Sequence, residues 1–197
     1  MCIVSDTSLE KLLFREQEFE QAKEMFENGR WNAIGDKILI YPLNLGNMGP
    51  FSYDLCAGHE AFNPRTQQTK SLATKEGLEI EPGDVALVLT HEYVGLPRSV
   101  AGSVLPRFSI VREGVFQSMT KIDPTWFGNI AVALVNHSPK PFVLRKGQPF
   151  CTLVFQKLDK PCSRIRSLEN TPALGRKAIK YFLHRNKKQQ KPRSCLR

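Results

Sequence analysis

The stretch GLEIEPGDVALVLTHEYVGLP, Gly77–Pro97, decides the fold class. Short runs rich in Val, Leu and Ile meet at Pro82-Gly83. Proline presets φ at the first corner of a turn and glycine accepts the positive φ of a type II second corner, so the pair predicts a reversal between two strands. LRKGQPF, Leu144–Phe150, has the same design around Gly147. Outward from this stretch the pattern repeats in ILIYPL (38–43), SYDLCAG (52–58), GNIAVALVNHS (128–138) and PFVLRKGQPFCTLVFQKL (141–158). Many short strands with turn signals about every eight to twelve residues argue for a mainly β, closed or double-layered architecture.

The ends differ. Leu9, Leu12, Leu13, Phe19, Ala22 and Phe26 recur near a 3.6-residue period after a Ser/Thr/Asp cluster and before Gly29, which predicts one amphipathic helix over Leu9–Asn28. After Pro161, PALGRKAIKYFLHR (172–185) places Leu174, Ala178 and Phe182 on one helical face among basic residues. The expected organisation is an N-terminal helical extension over 1–34, a β domain over 35–158, and a basic helix and tail over 159–197. No internal repeat is visible.

Composition narrows the function classes. A hydrophobic share of 41% and a charged share of 24% fit a globular chain, and no run of about 18 apolar residues predicts a membrane span. The start turns acidic within its first residues, unlike a secretory or mitochondrial leader, so a cytoplasmic location is expected. Five cysteines without a CxxC pair and four scattered histidines offer neither a disulfide framework nor a zinc site. Zinc-dependent base deamination needs H-x-E and P-C-x-x-C motifs, and both are missing. The net charge of +9 is a property of the tail: residues 157–197 hold 13 Lys or Arg against two Asp or Glu. Such a tail is either a solvated segment or an attachment for an anionic partner such as nucleic acid, lipid or triphosphate.

The order of segments is more specific than any one of them. FENGRWNAIGDKILIYPLNLGNMGPFSYDLCAG, then IEPGDVALVLTHEYVGLPRSVAGSVLPRFSIVREGVF, KIDPTWFGNIAVALVN and LRKGQPFCTLVF, resembles the dCTP deaminase and dUTPase superfamily in its dCTP deaminase branch, from about Phe26 to Lys157. The resemblance implies a distorted jelly-roll barrel of the β-clip, dUTPase-like kind, a homotrimer, and sites between subunits that bind a pyrimidine deoxynucleoside triphosphate with Mg²⁺. Arg107 and Ser109 in PRFSIVREG then become phosphate-binding residues, a guanidinium and a hydroxyl suited to phosphate oxygens. Arg112 and Gln148 join that set. The hairpin from about Phe116 to Asp123, with Thr120 and Ile122, would read the base largely through its backbone. Trp126 would stand against the deoxyribose, and Asp54 is a candidate Mg²⁺ ligand. Asp123 takes the place of the carboxylate that orients and deprotonates water in dUTP-hydrolysing members. Each has a plainer reading: an edge arginine for Arg107, a core ring for Trp126, a turn residue before Pro124 for Asp123.

The departures carry equal weight. Ala133 stands where deaminating members place a proton-shuttling glutamate, and alanine transfers no proton. Phe108 replaces a serine of the phosphate motif, Thr152 a phosphate-contacting glutamine, and Thr125 a common glycine. KKQQKPRS is the one trace of a closing arm. Three readings follow: a nucleotide hydrolase working through Asp123 with Mg²⁺, which the sequence favours; a dCTP deaminase with another proton shuttle; and a non-catalytic trimeric β scaffold that binds nucleotide or a partner.

Overall fold

The computed structural model of the chain describes residues 2–73 and 76–165. Its strands are β1 (Cys2–Ile3), β2 (Leu39–Tyr41), β3 (Met48–Gly49), β4 (Ser52–Asn63), β5 (Gln68–Ser71), β6 (Leu78–Ile80), β7 (Val85–Thr90), β8 (Tyr93–Gly95), β9 (Val100–Pro106), β10 (Val115–Gln117), β11 (Thr120–Ile122), β12 (Phe127–Gly128), β13 (Ala131–Asn136), β14 (Phe142–Leu144) and β15 (Pro149–Lys157). The principal sheet follows the path β10-β13-β7-β4-β15-β9-β11, with β1, β3 and β5 attached at its margins. All its pairings are antiparallel, and β12-β8-β2 and β14-β6 complete the enclosure. The result is the mainly β architecture that the strand spacing predicts, of the jelly-roll-like kind that the resemblance implies.

Alternation builds it. In β13, Val132, Leu134 and Asn136 are buried while Ala131, Ala133 and Val135 face outward, half-exposed, as period two requires. The inward residues join a core that includes Tyr53, Leu55, Val88, Val104, Phe150, Leu153 and Phe155. The Pro82-Gly83 turn forms as expected: Gly83 has φ +74° and the Asp84 N–H donates to the Glu81 carbonyl at 2.9 Å. It does not close a hairpin, however. β6 leaves to pair with β14, and β7 pairs with β13 and β4.

The single N-terminal helix is corrected to two. Helix α1 (Asp6–Leu12) ends at Leu13, whose backbone is extended, and after a 3₁₀ turn at Glu16–Glu18 α2 (Phe19–Glu27) begins. Between them Phe14 N–H donates to the Ile38 carbonyl, and Ile38 N–H donates to that of Leu12. Extended backbone sends adjacent side chains to opposite sides. Leu13 thereby enters the main core and Phe14 a second, aromatic cluster with Ala22, Phe26, Ile34, Leu39 and Phe127. A continuous helix would place both on nearly one face and give up the pairing to Ile38. Helix α3 (Trp31–Ile34) completes this packing. At the centre Phe26 lies on Gly95 so closely that a Cβ there would stand 2.8 Å from its ring and 3.0 Å from Leu39 Cβ.

No described helix is long and apolar enough to cross a membrane. The expected helix at 172–185 and the basic tail lie outside the described residues.

Candidate active site

Two clusters of chemistry-bearing residues stand apart. The first is where β4, β15 and the end of β9 meet. Thr152 pairs in register with Asp54 and with Leu105, which brings the Arg107 that follows β9 beside both. The Asp54 carboxylate accepts from the Arg107 guanidinium through one oxygen and from the Thr152 hydroxyl, at 2.6 Å, through the other. Asp54 and Arg107 are both half-buried. Beyond Arg107 the chain turns into a one-turn helix, α4 (Phe108–Val111). Ser109 is exposed on it, and Phe108 is 79% exposed. Arg112 is exposed and pairs with its neighbour Glu113 at 3.4 Å. Gln148 lies apart from this group: its side-chain oxygen caps the Gly147 turn by accepting from the Arg145 N–H at 3.1 Å.

The second cluster is the end of β11. Lys121 donates to the Asp123 carboxylate, which keeps 38% of its side-chain surface exposed. Ile122 is buried in the main core, and the Thr120 hydroxyl turns back to the Lys121 carbonyl. Trp126 is 9% exposed, packed in the same core, with its indole N–H donating to the Gly128 carbonyl at 3.2 Å. Ala133 lies half-exposed in β13, its N–H donating to the Ser118 hydroxyl.

Register fixes the separation. β11 runs antiparallel to β9 with Ile122 opposite Gly102, five positions before Arg107. At about 3.3 Å per residue, the Asp123 turn stands roughly 15–20 Å along β9 from the guanidinium. Within one chain the predicted phosphate residue and the predicted base do not meet.

Three roles escaped the sequence reading: those of Lys121, of Thr152, which stands there only as a departure from the resemblance, and of Glu92. Lys121 had a signal, since residues two apart on a strand share a face. Thr152 had none, because its partnership with Asp54 depends on strand register. Glu92 is 2% exposed. Burial pushes its carboxyl above the ordinary value of 4.5, against a hydrogen bond that it accepts from the Cys56 N–H at 2.9 Å. Burial and the nearby Glu92 raise the Cys56 thiol in turn, to about 11. A carboxyl that is a weaker acid when folded stabilises fully below its unfolded pKa, and the contribution is lost as pH rises through the folded value. Glu92→Gln keeps the acceptor for Cys56 and removes the buried charge. Its melting temperature is therefore expected to exceed that of the wild type at pH 7 and to converge with it below about pH 4.5. Thermal melts across pH check this, and a mutant less stable at pH 7 contradicts it.

Residues 28–158 match the family described as dCTP deaminase-like. The chain belongs to the dCTP deaminase-like family. Over 129 residues it is 39% identical to a dCTP deaminase of Pyrococcus horikoshii, covering 65% of this chain and 81% of that one. Over 165 residues it is 28% identical to a dUMP-forming dCTP deaminase of Persephonella marina, covering 76% and 92%. The crystal structure of 2′-deoxycytidine 5′-triphosphate deaminase from Agrobacterium tumefaciens superposes with a TM-score of 0.53 at 22% identity, over 67% of this chain and 47% of that one, a likeness of fold. The dCTP deaminase-like domain thus holds both clusters, Asp54–Arg107–Thr152 and Lys121–Asp123. α1 and α2 both precede the matched residues.

Proposed function

We propose that this protein binds a pyrimidine deoxynucleoside triphosphate, dUTP or a related one, between copies of the chain, and hydrolyses it without deaminating the base. The observation that carries the reading is the register of β9 and β11, which holds Arg107 and Asp123 at opposite ends of one strand. Both side chains stay partly accessible. A closed ring of copies, a homotrimer as the sequence resemblance implies, joins the Arg107 end of one to the Asp123 end of the next.

In that arrangement Arg107 and Ser109 supply charge-assisted and hydroxyl contacts to phosphate oxygens. Thr152 and Asp54 hold the guanidinium in place. Asp123, steadied by Lys121, accepts the proton of a water whose oxygen bonds to the α-phosphorus as the bond to the β-phosphate oxygen breaks. The products are the nucleoside monophosphate and pyrophosphate. Among the described residues no three His, Cys, Asp or Glu groups are placed to hold a metal, and both Asp54 oxygens are engaged. Among the described residues of one chain no protein Mg²⁺ site is built, and Mg²⁺ enters as the counter-ion that the triphosphate carries in solution.

Deamination lacks a group. Ala133 has the Ser118 hydroxyl and Leu87 as its β-sheet neighbours, and neither shuttles a proton between water and the base at neutral pH. A second reading, a non-catalytic trimeric scaffold, draws on Asp54, which already neutralises Arg107. Incubation with dUTP, dCTP or dTTP separates the readings. Pyrophosphate without ammonia is expected. Ammonia from dCTP overturns the hydrolase in favour of a deaminase with another shuttle, and neither turnover nor binding at about millimolar nucleotide leaves the scaffold.

A further inference from the structure

A cleft of about 730 Å³ opens beside β2, β4 and β7, and none of its lining residues belongs to either cluster of the candidate active site. Its size falls within the range of about 300–1,000 Å³ usual for small-molecule sites. Four planar rings line it: Tyr41, Tyr93, His59 and His91, the two imidazoles 6.0 Å apart between centroids. Phe19 stacks on Tyr41 at 3.6 Å and meets Tyr93 edge-on, which fixes both phenol rings from behind. Phe19 lies outside the family match of 28–158, so this wall is set by the chain's own N-terminal extension.

The hydroxyls of Ser71 and Thr90 on its wall are engaged with backbone groups, but the rings present polar atoms to the cleft. Among the described residues the hydroxyls of Tyr41 and Tyr93 and the ring nitrogens of both histidines take part in no hydrogen bond. Asn129 is 9% exposed and lines the cleft. Its amide nitrogen is held by the carbonyls of Thr90, His91 and Glu92 at 2.9, 3.4 and 3.1 Å, which fixes the amide while its oxygen accepts nothing among the described residues. These groups face the cleft rather than the interior, and polar groups that converge on a ring-lined concavity of this size are the usual make-up of a small-molecule site.

The chemistry selects the ligand class. A metal ion is disfavoured because no third ligand group joins the two imidazoles among the described residues. An anion is disfavoured because Glu60 stands on the wall. Burial, with His59 and Lys146 nearby, also pushes His91 toward its neutral form. The ring faces and the Asn129 oxygen suit a neutral planar molecule that stacks and donates N–H groups.

We infer that this cleft is a second binding site, for an uncharged nucleoside whose base stacks on the histidine and tyrosine rings and donates to Asn129. It stands independently of the triphosphate reading. The test uses two phosphate-free probes, deoxycytidine and deoxyadenosine, titrated into the full chain while the imidazole C–H signals of His59 and His91 are followed by NMR. Saturable shifts of both are expected and should persist unchanged in Arg107→Ala. His59→Ala, at an exposed position, and Tyr93→Phe, which removes only a hydroxyl, should keep the native spectrum. His59→Ala is expected to weaken binding about tenfold or more, as loss of one stacking ring does. No saturable shift up to about 10 mM of either probe overturns the proposal. So do shifts that vanish with Arg107→Ala, which assign nucleoside binding to the Asp54–Arg107 cluster instead.

Discussion

Asp123→Asn is expected to lower triphosphate turnover by about 10²–10⁴-fold while nucleotide affinity stays within a few-fold of the wild type. The substitution is nearly isosteric. It keeps an oxygen that accepts from Lys121 and leaves the β11 turn without a cavity, so the only chemistry removed is the basic carboxylate. Affinity should persist because the proposed phosphate contacts lie on Arg107 and Ser109, at the far end of β9. Turnover and equilibrium binding measured on the same preparation decide the matter. A mutant that turns over like the wild type would return Asp123 to the plainer role of a turn residue before Pro124.

Arg107→Ala is expected to weaken triphosphate binding by about ten- to a hundredfold, the worth of one charge-assisted contact. The larger effect comes from mixing. If Arg107 and Asp123 of different copies serve one site, co-assembled Arg107→Ala and Asp123→Asn chains regenerate sites with both residues intact. Measured at nucleotide well below the wild-type Kd, where the Arg107→Ala parent shows its loss of affinity as loss of turnover, random assembly at equal amounts gives about a quarter of the sites both residues intact. A site completed within one chain gives no restoration, since every chain then carries one defect. Melting curves of the Arg107→Ala protein control for the half-buried Asp54 carboxylate, which keeps only the Thr152 hydroxyl when the guanidinium is removed.

What was legible in the sequence follows from range. The Pro82-Gly83 turn is a local matter of two residues, and it forms as read. The alternation in AVALVN is equally local, and β13 obeys it. The helix over Leu9–Asn28 failed because its period is also satisfied by two shorter helices, and Ile38, some twenty-five positions on, decided between them. The same limit governs the site. Arg107 and Asp123 were both readable as candidates from their motifs, but their separation along β9 is a question of strand register. Asp54 fits a metal ligand by residue type, and only the strand register shows that partners from β15 and from beyond β9 occupy its two oxygens. Trp126 shows the limit at one residue: type and position fit a sugar-facing ring, yet the ring sits largely in the core.

The contact between Phe26 and Gly95 carries a consequence for how this chain can change over generations. A Cβ at Gly95 would meet the Phe26 ring at 2.8 Å, nearer than carbon atoms approach without displacement. The two positions are therefore epistatic. A chain without the α2 aromatic loses the nearest of the contacts that exclude a side chain at position 95 and keeps the one to Leu39 Cβ at 3.0 Å, whereas a chain with Phe26 has both. Once both residues are in place neither reverts alone at little cost, because Phe26→Ala leaves a void under β8 and Gly95→Ala drives the helix off it. Helix α2 is thus keyed onto β8 by a missing methyl group.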